Sequence, residues 1–600
     1  MNKKILLIIV LSGLIIGLSA HIIRDRMNQL DVVEHQQRLY AIQQGYVPQY
    51  NTMEKNSRFK PTGFAGNFLA SHFAQTNYDW KQANDFLDKV INDDTENYEL
   101  IKRSMILAIG AGDIDVAASR AEQLLINEPE NSFAILILVV KALSDDKLDK
   151  ALTYLDQMTV GDMTSFVTPL LKGWAYAGLG QYYTEGFNET PFHAFHKAMI
   201  AIYMNKDEDA RQIISDIMTI VNLNEMDAER VADMYVYLDE TEKALPIYQG
   251  AFIKNSNNKE LHKKIMALQE GDIETVKALS GPVKVGSVRK GAALAFYDMA
   301  YLLYRELSDS SAKIFANMAL ALDPQMPAAY LLLSDAATRN ERYLEAIGFL
   351  EHIPQDHERY MDSQRRIAEL WAEAGETDKA VALLEDLFKA HDDIESLIRI
   401  GDLYREEEEF AAALKVYNKA AKQIGEDIPE EYWYLLYARG MTYEREGEWD
   451  KAEDDLKAAL VYRPNHPYLL NYLGYSWADQ GKKLEESKEL IQRAVSLRPT
   501  DGYIVDSLGW VIYMMGDYKE ATPYLERAVE LLPYDATIND HLGDALWKVG
   551  RKTEARFQWE RALNATEDET LAEKIREKMR FGLDAEVKEA KTEEEKSQDR

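Results

Sequence analysis

DGYIVDSLGWVIYMMGDYKEATPYLERAVELLPYD occupies residues 501–535, and INDHLGDALWKVGRKTEARFQWERAL follows it at 538–563 with the same phrasing. Gly543 stands 34 residues after Gly509, Ala555 34 after Ala521, and Ala562 34 after Ala528. A fixed period of this length marks stacked supersecondary units, each too small to bury its apolar face alone. The chain of 600 residues therefore reads as one extended array rather than as several globular domains.

Carried upstream, the small residue at position 8 of each unit falls at Ala300, Ser334, Ala368, Gly401, Gly440, Gly474, Gly509 and Gly543. A second small residue, twelve positions later, falls at Ala312, Ala346, Ala380, Ala413, Ala452, Ala521 and Ala555. Small side chains on two crossing helices let their backbones approach, so Gly401, Gly440, Ala452, Gly474, Gly509, Ala521, Gly543 and Ala555 are expected to be packing residues. Val505, Leu508, Gly509 and Ile512 share one helical face, the buried one. Pro324, Pro464, Pro499 and Pro533 each close a second helix, since proline offers no amide hydrogen and disfavours helix just before itself.

The pattern small at 8, aromatic near 11, Ala at 20, large at 24, Ala at 27 and Pro at 32, as in Gly440, Tyr443, Ala452, Leu456, Ala459 and Pro464, resembles the tetratricopeptide repeat. The resemblance implies an all-α fold, a right-handed α-solenoid of about 12 to 14 helix-turn-helix units. It is regular over 292–564 and degenerate over 63–275, where Ala232 with Ala244, Ala198 with Ala210 and Val139 with Ala151 keep the interval and Ala70 with Ala83 has one residue more. Between the halves, 276–291 holds Gly281, Gly286 and Gly291 with Lys277, Lys284, Arg289 and Lys290, and reads as a Gly/basic linker. A capping helix is expected at 565–582 and a disordered charged tail at 583–600.

At the other end, Lys3 and Lys4 precede an uncharged apolar run from Ile5 to Leu18, which is signal-peptide anatomy. Ile22 and Ile23 extend it to about 19 residues, enough for a membrane anchor, so 1–23 is a cleaved signal or a retained anchor, and 24–62 a linker or irregular helix. Both readings place the body on the periplasmic side of an inner membrane. The net charge of −32 argues against nucleic acid, whose phosphates need clustered Lys and Arg. The absence of cysteine removes disulfides, thiolate chemistry and lipid attachment at a signal-peptide Cys.

No arrangement of residues points to catalysis, and no enzyme activity, metal or cofactor is expected. His193 and His196 could begin a metal site but have no third ligand nearby in sequence, and read as surface or groove histidines. His541 with Asp540 and Asp544 reads as a solvated ridge, and Ser507 lacks the strand-turn-helix context of a hydrolase nucleophile.

Solenoids of the resembled family line their concave groove with positions 2, 5, 9 and 12 of each first helix, and helical spacing places those four on one face. They are filled by Tyr434, Tyr437 and Met441; by Tyr468, Asn471 and Tyr475; by Tyr503, Asp506, Trp510 and Tyr513; and by Asp540, Asp544 and Trp547. Large aromatic side chains with a polar edge suit a protein-binding surface. Positions 5 and 9 lack the Lys and Asn that clamp acidic carboxyl termini in co-chaperones, so an apolar or mildly basic segment is the expected ligand. The C-terminal stretch also resembles proteobacterial envelope proteins of the protease-adaptor lipoprotein type, without their lipidated Cys. That resemblance implies a non-catalytic envelope scaffold that binds proteins, either an extended segment or an envelope enzyme, and presents substrates to a protease or assembly machine. The alternatives are an accessory subunit of a polysaccharide synthesis or export complex, and an enzyme hidden in 160–200.

Overall fold

The computed structural model describes residues 61–583 apart from 94–96, 159–162, 221, 222, 224, 255–257, 281, 282 and 426, and every regular element among the described residues is helical. The signal or anchor at 1–23, most of the 24–62 linker, and the tail from 584 onward lie outside the described residues. Among the described residues no helix is long and apolar enough to cross a membrane.

The chain divides into two units, the first ending at Glu96. Its helices α1 (Gly63–Thr76) and α2 (Trp80–Asp93) pack as a hairpin. Here Ser71, fully buried and twelve residues before Ala83, fills the slot that the sequence reading gave to Ala70.

The second unit begins with α3 (Tyr98–Gly110), α4 (Ile114–Asn127), α5 (Ser132–Ser144), α6 (Leu148–Leu155), α7 (Thr168–Gly178), α8 (Pro191–Tyr203), α9 (Asp207–Ile220), α10 (Glu225–Tyr237) and α11 (Thr241–Lys254). It continues through α12 (Lys259–Glu270), α13 (Ile273–Leu279), α14 (Val288–Arg305), α15 (Asp309–Leu322), α16 (Pro327–Arg339), α17 (Tyr343–Leu350), α18 (Tyr360–Glu373), α19 (Thr377–His391), α20 (Ile394–Glu406) and α21 (Phe410–Ile424). The last elements are α22 (Trp433–Arg445), α23 (Trp449–Tyr462), α24 (Pro467–Asp479), α25 (Leu484–Leu497), α26 (Gly502–Met514), α27 (Tyr518–Leu531), α28 (Ala536–Lys548), α29 (Lys552–Ala565) and α30 (Glu569–Phe581). From α14 to α29 each first helix packs on the next as a hairpin, and hairpins stack in order, so the fold is an α-solenoid.

Local chemistry sets the helix ends. Asp501 accepts from the amides of Tyr503 and Ile504, and Asp517 and Asp535 cap α27 and α28 in the same manner, satisfying amides that have no partner within the helix. Position 15, seven residues after the small one, turns each hairpin with a positive φ: Gly516 at 88° and Gly550 at 88°, but Leu307 at 60°, Glu341 at 57° and Glu408 at 59°. The degenerate half keeps this turn at Asp146, Asn205 and Asp239, so its backbone repeats even where its side chains do not.

The small residue at position 8 lies beneath the large one at position 24. A Cβ on Gly401, Gly509 or Gly543 would stand 2.4 Å from Tyr417, 2.6 Å from Leu525 and 2.4 Å from Trp559, respectively. One unit departs from this spacing. After Gly474 an extra residue, Lys483, sits at φ 46°, so α25 starts one residue late; Ser487 takes the place of the small residue and bonds the Gly474 carbonyl.

The segment 276–291 is shorter as a connection than the sequence suggested, because α13 runs to Leu279 and α14 starts at Val288. Gly291 lies inside α14, where a Cβ would stand 2.4 Å from the Trp174 ring, so it is a packing residue between α14 and α7. Arg289 is likewise structural, donating to the carbonyls of Leu322 and Ser144. Helix α14 packs on α7 and α8, and α15 on α3 and α5, far from both in sequence. Asn317 of α15 donates to the Gly110 carbonyl at 2.9 Å across 207 residues.

Candidate protein-binding groove

The faces expected to line a groove are positioned by the 34-residue period, which brings the same helical positions of α22, α24, α26 and α28 into succession along one side of the stack. Their fates differ. Tyr468 is 43% exposed and Tyr503 60% exposed. Tyr434, Tyr437, Met441, Asn471, Tyr475, Trp510 and Tyr513 are half-buried, while Asp506, Asp540, Asp544 and Trp547 are buried.

The last three do not line an open groove, contrary to the sequence reading, because α30 covers them. Lys578 of α30 donates to Asp540 at 2.7 Å and to Asp544 at 2.9 Å, and the backbone at Gly582 closes against the Trp547 ring. Burial, then the Asp540 charge, push the Asp544 carboxyl up to about 6. Trp559 donates to the other Asp544 oxygen at 2.9 Å.

His541 is buried too, so the solvated-ridge reading is corrected. Its ring stacks on Trp510 at 3.9 Å between centroids and its Nδ1 lies 2.9 Å from Asp506. Burial opposes a charged imidazole, but Asp506, with help from Asp540 and Asp544, outweighs it and raises the pKa. Tyr513 stacks on the other side of this group, 4.8 Å from Trp510, and Tyr518 packs 5.0 Å from Tyr513. Two units earlier, Tyr437 contacts Trp433, His466 and Tyr472, and the Tyr472 hydroxyl donates to Glu444 at 3.0 Å. Burial pushes the phenols of Tyr437 and Tyr475 up to about 12. Tyr434 donates to Glu395 of α20.

Sequence reasoning read position 6 as solvated at His541 and passed over Tyr472. His541 and Tyr472 both sit there, and each reaches back to the groove face of the preceding unit. A polar or aromatic position 6, read beside an acidic residue of the unit before, is the signal that could have found them.

Some polar atoms on this face have no partner among the described residues. Asn471 Oδ1 on α24, and Asp506 Oδ1 and Trp510 Nε1 on α26, are buried and unsatisfied. Such atoms cost about 1–3 kcal/mol each unless a ligand or water meets them. Farther along, a cleft of about 490 Å³ beside α18 and α20 is lined by Glu369, Glu373, Asp402, Glu406 and Glu407 with Arg399.

His193 and His196 are neither surface nor groove residues, because α8 is packed between α7 and α14. His193 Nε2 donates to the Phe166 carbonyl at 2.9 Å and its Nδ1 accepts from the Asn188 amide at 3.0 Å. His196 accepts from Trp174 at 3.3 Å and lies 3.1 Å from Asp298, which also receives Arg230 at 3.0 Å. Burial lowers both imidazole pKa values, that of His193 to about 4. All four ring nitrogens are thus occupied within the protein.

The Tetratricopeptide repeat family matches residues 437–502 and 508–568, and a second family of the same description matches 394–424. The chain carries tetratricopeptide repeats over these residues. Its repeats are similar to the TPR repeat-containing protein PA4667 of Pseudomonas aeruginosa, 29% identical over 28% of this chain and 28% of that protein. They are also similar to the peroxisomal targeting signal receptor of Candida albicans, 26% identical over 36% of this chain and 37% of that one. The chain thus spans well under half the length of these curated relatives. Among solved structures, the APC/C hetero-tetramer Cut9-Hcn1 is similar with a TM-score of 0.37 and 13% identity, over 86% of this chain and 95% of that chain.

Proposed function

We propose that this chain is a non-catalytic scaffold of the bacterial cell envelope that holds an extended segment of a partner protein along the faces of α22, α24 and α26. The observation that carries this reading is the row of buried, unsatisfied polar atoms at Asn471, Asp506 and Trp510, flanked by the exposed rings of Tyr468 and Tyr503. A peptide backbone offers donors and acceptors at regular intervals, and the rings supply apolar area with polar edges. The carboxylates farther along at Glu369, Asp402 and Glu406 favour a segment with basic residues. The apolar run from Ile5 to Leu18 behind Lys3 and Lys4 supports placement of the body in the periplasm, tethered or released. In that setting the bound protein is a substrate presented to a protease or an assembly machine.

The test is in-cell photocrosslinking from position 503 of the full-length chain, with mass spectrometry of what is captured. An envelope protease, hydrolase or assembly factor captured by the parent and lost in a Tyr475→Ala, Trp510→Ala double variant supports the proposal. Unchanged capture in the double variant places the partner elsewhere on the molecule.

A further inference from the structure

The first helix of the regular array carries a row that lies outside the C-terminal groove. Tyr297, Tyr301 and Tyr304 fall on one face of α14 at spacings of four and three residues, all half-buried. Residues of α12, α13 and the segment 284–287 line a recess here together with α14 and α16. The result is a cleft of about 700 Å³. An ion pair between Glu260 of α12 and Arg359 joins its two walls. A smaller recess of about 240 Å³ shares Leu294, Tyr297, Tyr301 and Ala328 with it.

We propose that this cleft binds an organic cation on an apolar stem, an alkylammonium or guanidinium group held by the rings of Tyr297 and Tyr301 and the carboxylate of Asp335. The third tyrosine already holds such a group. Arg339 lies over the Tyr304 ring with its guanidinium carbon 3.8 Å from the centroid, so this row binds guanidinium in the folded chain. The next two rings, 6.5 Å apart, have no cation over them among the described residues. Asp335, exposed on α16, lines the cleft without a hydrogen bond or ion pair among the described residues, while Arg339 is engaged by Asp309 and Arg366 by Glu369 and Glu373. Neighbouring protein raises the Asp335 carboxyl above its ordinary value, against the pull of Arg366 and Arg339. Leu294, Met326 and Leu331 provide an apolar floor for the stem.

Lys284 and Lys290 also line the cleft and, like Asp335, are exposed. Solvent screens all three charges, so the faces of the half-buried Tyr297 and Tyr301 rings decide the sign of the ligand. This site stands on its own lining and does not depend on the reading of the C-terminal groove.

Calorimetric titration of the full-length chain tests it with three probes: agmatine, N-acetyl-Leu-Arg-Leu-amide, and the same peptide with citrulline for arginine. Both guanidinium probes, or the peptide alone, are expected to bind saturably, with the citrulline peptide at least about tenfold weaker. Equal binding of agmatine identifies a free cation as a sufficient ligand, and binding of the peptide alone identifies a protein segment. Asp335→Asn and Tyr301→Leu are each expected to weaken binding at least about tenfold, whereas Tyr475→Ala leaves it unchanged and Asp335→Glu retains most of it. Absence of saturable binding by both guanidinium probes, equal affinity for the citrulline peptide, or full affinity in Asp335→Asn overturns the proposal.

Discussion

Lys264 occupies a slot that the other repeats fill with an uncharged residue. It stands seven residues before the left-handed Gly271 and twelve before the buried Val276, which makes it the position-8 residue of the α12–α13 hairpin. Only 2% of it is exposed, and its ammonium meets Glu229 at 2.6 Å and Asp233 at 3.0 Å, with Tyr248 donating to the same Asp233. Removing one partner of a buried pair strands the other, so Lys264→Ala is expected to cost about 3–5 kcal/mol and the double variant Lys264→Met, Asp233→Leu less. Urea unfolding followed through α10–α13 by hydrogen exchange measures the difference. An opposite effect is expected at Leu307, exposed and held at φ 60°. Leu307→Gly should stabilise by about 1 kcal/mol, because glycine removes the left-handed strain at some entropic cost, and a rise in the thermal midpoint checks it. The glycines at position 8 were legible because their period is strict. Lys264 was not, because its burial depends on an acid 31 residues away in the preceding hairpin.

At the scale of elements, the C-terminal end is governed by α30. The sequence suggested a capping helix at 565–582, and it forms over Glu569–Phe581. Its consequence was not legible: periodicity tells which face of α28 is apolar or polar, but not that Lys578 returns to neutralise Asp540 and Asp544. Lys578→Ala should therefore destabilise α28 and α29 by about 3 kcal/mol, read as faster amide exchange confined to this end. The same cluster imposes a pH dependence. Asp544 takes up its proton near pH 6 when folded and near 3.8 when unfolded, so the folded state binds the proton first and gains stability as pH falls through 6. His541, raised above 6.5, acts in the same sense, its contribution complete below 6.5 and lost as pH rises through its folded value. Amide protection in α28 is expected to be greater near about pH 5 than near about pH 8, and Asp544→Asn should flatten that difference.

For the whole molecule, a repeat period predicts contacts between neighbours, and in a simple solenoid stability is a sum of such nearest-neighbour terms. That description holds for α16 to α29, where the sequence was most legible. It fails at α14 and α15, which pack on α3, α5, α7 and α8 through contacts such as Asn317 with Gly110, Arg289 with Ser144, and Asp298 with His196 and Arg230. The sequence hid this because a helical stripe shows that a face is buried without saying by which partner, and because the basic residues and glycines near 276–291 suggested a linker. At its C-terminal side this segment is packed: Gly291 lies against Trp174, and Asp298 is buried with two partners from earlier helices. Loss of hydration would raise the Asp298 carboxyl, but Arg230 and His196 hold it below its ordinary value, so it is charged and the pair is committed. Asp298→Ala leaves the half-buried Arg230 without its counter-charge. It should speed exchange together in α7, α8, α10 and α14 while leaving α24 to α29 unaffected, because the cooperative unit here is set by long-range packing. Faster exchange restricted to α14 and its hairpin partner α15 would instead mean that the array unfolds by neighbours alone.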